Sequence, residues 1–77
     1  MMIDDQTLNE YRQAGIKVRV VRDILEMNDV KGIVVAWDEE NVMIRKQNRR
    51  IVKVKRSYLF QPFDEPRRLP PGLLTEE

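Results

Sequence analysis

A chain of 77 residues with 14 basic and 13 acidic side chains, no Cys and no His reads as one small domain. So short a chain buries little apolar surface, and disulfides and the usual zinc sites are closed to it, so an efficient core or association with copies of itself must stabilise it. Without His, Cys or a phosphate-cradling Gly loop, and with no base near Ser57, nothing in the pattern is a catalyst, so neither an enzyme nor a cofactor is expected. The opening MMIDDQTLNE is acidic and has no apolar stretch of signal or membrane-span length, which makes a cytoplasmic location without membrane contact the expectation.

Residues 4–14 read as a short amphipathic helix. Asp4 or Asp5 supplies the cap, Leu8 and Tyr11 share one face, Arg12 lies in the last turn and Gly15 suits the left-handed stop. From Ile16 the period changes to two, with Ile16, Val18 and Val20 facing one way and Lys17 and Arg19 the other. Val21 and Asp23 break the alternation and predict a bulge or bend, after which the run continues through Ile24-Leu25-Glu26-Met27 to a turn at Asn28-Asp29. Val30 to Trp37 is the second long strand, and Gly32 within it marks a tight bend or a close backbone approach.

After a turn at 38–41, Val42-Met43-Ile44 is the third strand, Gln47-Asn48-Arg49 a turn, and 50–55 a cleanly alternating fourth strand. Ser57-Tyr58-Leu59-Phe60 forms a last short strand ended by Pro62. The pattern predicts a mainly β fold, an N-terminal α-helix followed by a five-stranded, strongly bent SH3-like barrel, over residues 1–63. Residues 64–77, rich in Pro and without period, are expected to be a disordered tail; its Arg67-Arg68-Leu69-Pro70-Pro71 has the form of a polyproline ligand, a reading subordinate to a plain tail.

The formal net charge of +1 conceals a marked asymmetry. Arg45, Lys46, Arg49, Arg50, Lys53, Lys55 and Arg56 follow one another with no acidic residue between Asn41 and Phe63. Cations grouped on one hairpin can contact successive phosphates and gain from released counterions, so RNA is the expected partner; a solvated strand face that discourages edge pairing is the plainer alternative. Trp37 and Tyr58 are candidates for stacking on bases, against the alternative that each belongs to the core. Three consecutive carboxylates, Asp38-Glu39-Glu40, cannot easily converge on one ion and read as a surface turn, in which Asp38 can accept backbone amide bonds; no metal site is expected.

A helix containing Leu8-Asn9, a strand IKVRV and then VKGIVVAWD, with Gly32, Trp37 and Asp38 at their spacing, resembles the Sm-like family, in particular its bacterial Hfq branch of RNA chaperones. Val54-Lys55-Arg56 with Tyr58 resembles the second signature of that family, and the likeness spans about residues 6–62. It implies an Sm-like barrel that closes into a ring, a hexamer, by strand pairing between copies, with RNA held at the pore by Lys55 and Arg56 and at the rim by Arg12. Where the family carries the aromatic that stacks on uracil this chain has Glu40, so the resemblance does not extend to the family's uridine-rich specificity. The alternative is a monomeric SH3- or KOW-like module, fitted by Gly32-Ile33-Val34, that docks on a protein or ribosomal partner.

Overall fold

The computed structural model describes residues 2–69. The Asp4 carboxylate accepts the Thr7 amide at 2.8 Å and starts α1 (Asp5–Ala14), as a short acceptor must where the first helical amides lack partners. Gly15, at φ 64, ends the helix and donates its amide to the carbonyls of Tyr11 and Arg12.

Five antiparallel strands follow: β1 (Lys17–Val21), β2 (Val30–Trp37), β3 (Asn41–Arg45), β4 (Ile51–Lys55) and β5 (Leu59–Pro62). They form one sheet in the order β4-β3-β2-β1-β5, so the helix-capped, bent five-stranded barrel expected from the sequence is the fold observed. Its inner face carries Val18 and Val20 from β1, Val34 from β2, Val42 and Ile44 from β3, Val54 from β4 and Phe60 from β5. Leu8 reaches into this layer from α1 and is 0% exposed, while Ile3 and Tyr11 pack at its edge. The helix therefore lies on the sheet and covers its apolar face, as its own short length requires.

Gly32 makes β2 and β3 fit. A Cβ added there would lie 2.3 Å from the Arg45 carbonyl oxygen and 2.7 Å from an Ile44 methyl, so a side chain at 32 would push the strands apart. The bend expected at Val21–Asp23 is present, where the chain leaves β1 after Val21 and bends at Asp23, and a β-bulge lies between Val34 and Ala36 in β2. It turns Trp37 back to the inner face, opposite Val42.

Two departures from the sequence expectation share a cause. β1 stops at Val21, and the run through Met27 is not strand but a loop with a 3-10 turn, η1 (Glu26–Asn28). Asp23 draws the chain off the sheet, since its carboxylate accepts the Leu25 amide at 2.8 Å and the Asn28 side-chain amide at 2.9 Å. Arg19, expected on the solvent face, is buried instead, between Glu26, Asp29 and the Phe63 carbonyl.

Residues 64–69, expected to begin a disordered tail, return across the outer side of β1; residues 70–77, the rest of that expectation, lie outside the described residues. Buried Gln61 donates to the Pro66 carbonyl at 2.8 Å and accepts the Arg68 amide at 2.8 Å. Arg67 grips both oxygens of Asp29, at 2.8 and 3.0 Å, and donates to the Asp23 carbonyl at 3.0 Å. Because Arg67 is spent on Asp29, a polyproline-ligand role for Arg67-Arg68-Leu69-Pro70-Pro71 loses its leading cation. The Asp29 side chain is wholly buried, so removing Arg67 leaves its charge to Arg19 alone, at 3.5 Å. Arg67→Ala is expected to lower the urea midpoint of unfolding clearly, whereas Arg68→Ala, at a more exposed position, leaves it within error; equal midpoints for both variants would show that the strap is not docked.

Candidate nucleic-acid interface

β3 and β4 pair through Arg45↔Ile51, Met43↔Lys53 and Asn41↔Lys55, so the side chains of these pairs share the outer face while Val42, Ile44 and Val54 fill the core. The connecting turn is held by two backbone bonds of 2.8 Å, Lys46 N–H to the Arg50 carbonyl and Arg49 N–H to the Lys46 carbonyl. Asn48 adds a side-chain acceptor for the Arg50 amide at 3.0 Å, and Arg49 takes the left-handed conformation at φ 71. A tight turn of this shape throws its cations outward. Arg45, Lys46, Arg49, Arg50, Lys53 and Lys55 are all exposed, and none of them enters a salt bridge among the described residues.

The strand register adds residues that the sequence reading did not assemble. Lys17 faces Ile33 and Ile33 faces Arg45, while the Phe63 amide bonds to the Lys17 carbonyl at 2.9 Å. One row therefore crosses the outer face of the whole sheet: Phe63, Lys17, Ile33, Arg45, Ile51. Beside it stands Lys31, paired with Arg19. A cleft of about 300 Å³ opens between Lys17, Ile33, Arg45, Lys46 and Arg49. The outward position of Lys17 was legible from the period of two, but its place beside the basic turn depends on which strands neighbour which.

Charge is not uniform along the hairpin. At the far end of β3 the Asp38 carboxylate accepts the amides of Glu40 at 2.9 Å and Asn41 at 2.7 Å, and these bonds, with a smaller effect from Lys53 and Arg56, hold it below the usual aspartate range. Lys55, opposite Asn41, thus sits next to an acidic turn, whereas Lys46, Arg49 and Arg50 share their end with Lys17 and Lys31.

Three of the expected contacts lie elsewhere. Arg56 is 8% exposed. Its guanidinium donates to the Ile3 carbonyl at 2.7 Å and the Asp38 carbonyl at 2.9 Å and meets the Asp5 carboxylate at 2.9 Å, so it joins the start of the helix to the β2–β3 turn rather than projecting to a ligand. Trp37 and Tyr58 are partly buried against the core, as their alternative reading had it, and neither lines the cleft at the basic turn. Phe63 is the aromatic on the cationic face, with the Lys17 ammonium 4.3 Å, the Arg19 guanidinium 4.8 Å and the Lys31 ammonium 5.7 Å from its ring centre. Arg12, the expected rim contact, is exposed on α1 and donates to the Asn9 side chain at 2.9 Å.

Comparison with protein-family models, with curated proteins and with solved structures found no match. The geometry separates the two kinds of arginine by stability. Arg56→Gln is expected to cost about 2 kcal/mol in chemical unfolding, as buried bonds from a charged donor to two carbonyls are lost. Arg50→Gln, at an exposed turn position, is expected to change stability by less than about 0.5 kcal/mol. Equal stability of Arg56→Gln and the parent would show that the clamp is not formed.

Proposed function

We propose that the protein binds RNA, in the manner of the Sm-like, Hfq-type proteins that its sequence resembles, and that it does so without enzymatic activity. The observation that carries this reading is the set of exposed cations, Arg45, Lys46, Arg49, Arg50, Lys53 and Lys55, on one hairpin and without carboxylate partners among the described residues. A structural role for such charges would be expected to pair them, as Arg19, Arg56 and Arg67 are paired. Left unpaired, they make a surface for a polyanion. A cytoplasmic location belongs to the same proposal.

Self-association is its second part. β4 and β5 are the outermost strands of the sheet and have a strand neighbour on one side only among the described residues. Pairing β4 of one copy with β5 of the next satisfies both rows of backbone groups and builds a ring, with the resemblance giving six as the number. A second reading, a monomeric SH3- or KOW-like module for a protein partner, is favoured by one feature: Ile24, Leu25 and Met27, adjacent on the β1–β2 loop, are 54%, 54% and 85% exposed.

RNA affinity measured against salt concentration separates the two. The parent is expected to lose affinity steeply as salt rises, and the combined variant Lys46→Gln, Arg49→Gln, Arg50→Gln to lose affinity and flatten that slope by about 2, the amount for three phosphate contacts on a single strand. Binding by the variant with the parent's affinity and slope would remove the basic turn from the interface and leave the protein-docking module as the better account.

A further inference from the structure

The row across the outer face alternates apolar and cationic groups strand by strand: Phe63, Lys17, Ile33, Arg45, Ile51. Phosphate attraction alone has no use for the apolar members. A duplex presents its phosphates outward and hides the faces of its bases, so a half-buried ring and two aliphatic side chains alternating with the cations would gain nothing from it. An unpaired strand offers both, phosphates for the cations and base faces for the ring. We infer that this row is a track for single-stranded RNA, with a base stacked on Phe63 and the adjoining phosphates held by Lys17, Lys31 and Arg45; the inference rests on the RNA-binding reading above.

Phe63 has the properties of a stacking platform. Its backbone is fixed on both sides, the amide to the Lys17 carbonyl at 2.9 Å and the carbonyl to buried Arg19 at 3.4 Å. The ring is only half-buried, and the exposed, flexible Lys17 side chain already reaches 4.3 Å from its centre. A ring open to a mobile ammonium is open to a base, and the displaced ammonium stays within reach of the phosphate next to that base. Asp64 and Glu65 line the other side of the Phe63 depression, which repels phosphates there and leaves the ring to the base. Depressions continue from Phe63 past Lys17 to the basic turn, where Lys46 and Arg49 stand. At strand spacings of about 4.8 Å the row is roughly 19 Å long, enough for a short run of nucleotides.

The test is fluorescence anisotropy at one salt concentration with a labelled mixed-sequence 12-nucleotide single strand and the duplex of the same sequence. The parent is expected to prefer the single strand. Phe63→Leu should weaken single-strand binding about tenfold and leave the duplex unaffected, while Phe63→Tyr, which keeps the ring, retains the parent's affinity. Ile51→Ser, at a position 58% exposed and remote from the packing of Phe63, should weaken the single strand several-fold, so the track is tested even where Phe63→Leu proves unstable to heat. Unchanged single-strand affinity in Phe63→Leu and Ile51→Ser, or equal losses for strand and duplex, overturns the track. Those results leave the RNA reading standing as long as the Lys46, Arg49 and Arg50 variant has lost binding. No binding of either RNA by the parent ends both.

Discussion

Arg56 fixes how the helix meets the sheet. One buried guanidinium bonds the carbonyl of Ile3, before the helix, and the carbonyl of Asp38, in the β2–β3 turn, and ion-pairs with Asp5 in the first turn of α1. The Arg56 amide adds a bond to the Glu40 carbonyl at 2.9 Å. A helix of ten residues is not stable alone, and the sheet has a single apolar layer to hide, so each needs the other in a fixed position. Leu8 supplies the apolar contact and Arg56 the direction. The charge is tolerable in the interior because two carbonyls and a carboxylate take its terminal nitrogens, with Nε alone left without a partner.

From that docking the distribution of charge follows. The acidic β2–β3 turn is drawn to the helix end of the sheet, where Arg56 and the backbone amides of Glu40 and Asn41 stabilise it. The β3–β4 turn is at the opposite end of β3, and its cations have no such use. The strap at 64–69 and the β1–β2 loop, locked together by Arg67 and Asp29, cover the outer side of β1 around Arg19. What they leave open is the row from Phe63 to Ile51 and the basic turn beyond it. The sheet is thus divided by its own stabilising contacts into a covered part and a cationic part.

The legible features of the sequence were the local ones. Asp4 and Gly15 act within three or four residues of themselves, so the helix ends could be read directly. Gly32 was readable as a close approach because no other residue type is so easily explained within an apolar strand, though its partner, the Arg45 carbonyl, was not. Alternation placed Val52 and Val54 against Lys53 and Lys55 correctly, but it put Arg19 in solvent, because alternation reports which side of the sheet a residue faces and not what later covers that side. Arg56 lies in the same basic run as Arg50, and composition cannot distinguish a cation that reaches inward to carbonyls from one that reaches outward. The strap was hidden for a related reason: one Gln and one Arg hold it, in a stretch whose prolines and missing period imitate disorder. Phe63 sits just past Pro62, outside every periodic segment, and only the strand order brings it to Lys17 and Lys31.

RNA is proposed to meet the protein at the cationic end of the sheet. Titrating RNA into uniformly 15N-labelled protein and following the amide resonances tests it residue by residue. Progressive shifts are expected at Lys17, Lys31, Phe63 and residues 45–50, with the amides of Leu8, Asp38 and Arg56 little changed. Shifts concentrated on Ile24, Leu25 and Met27, or none at all up to high RNA excess at low salt, would contradict it.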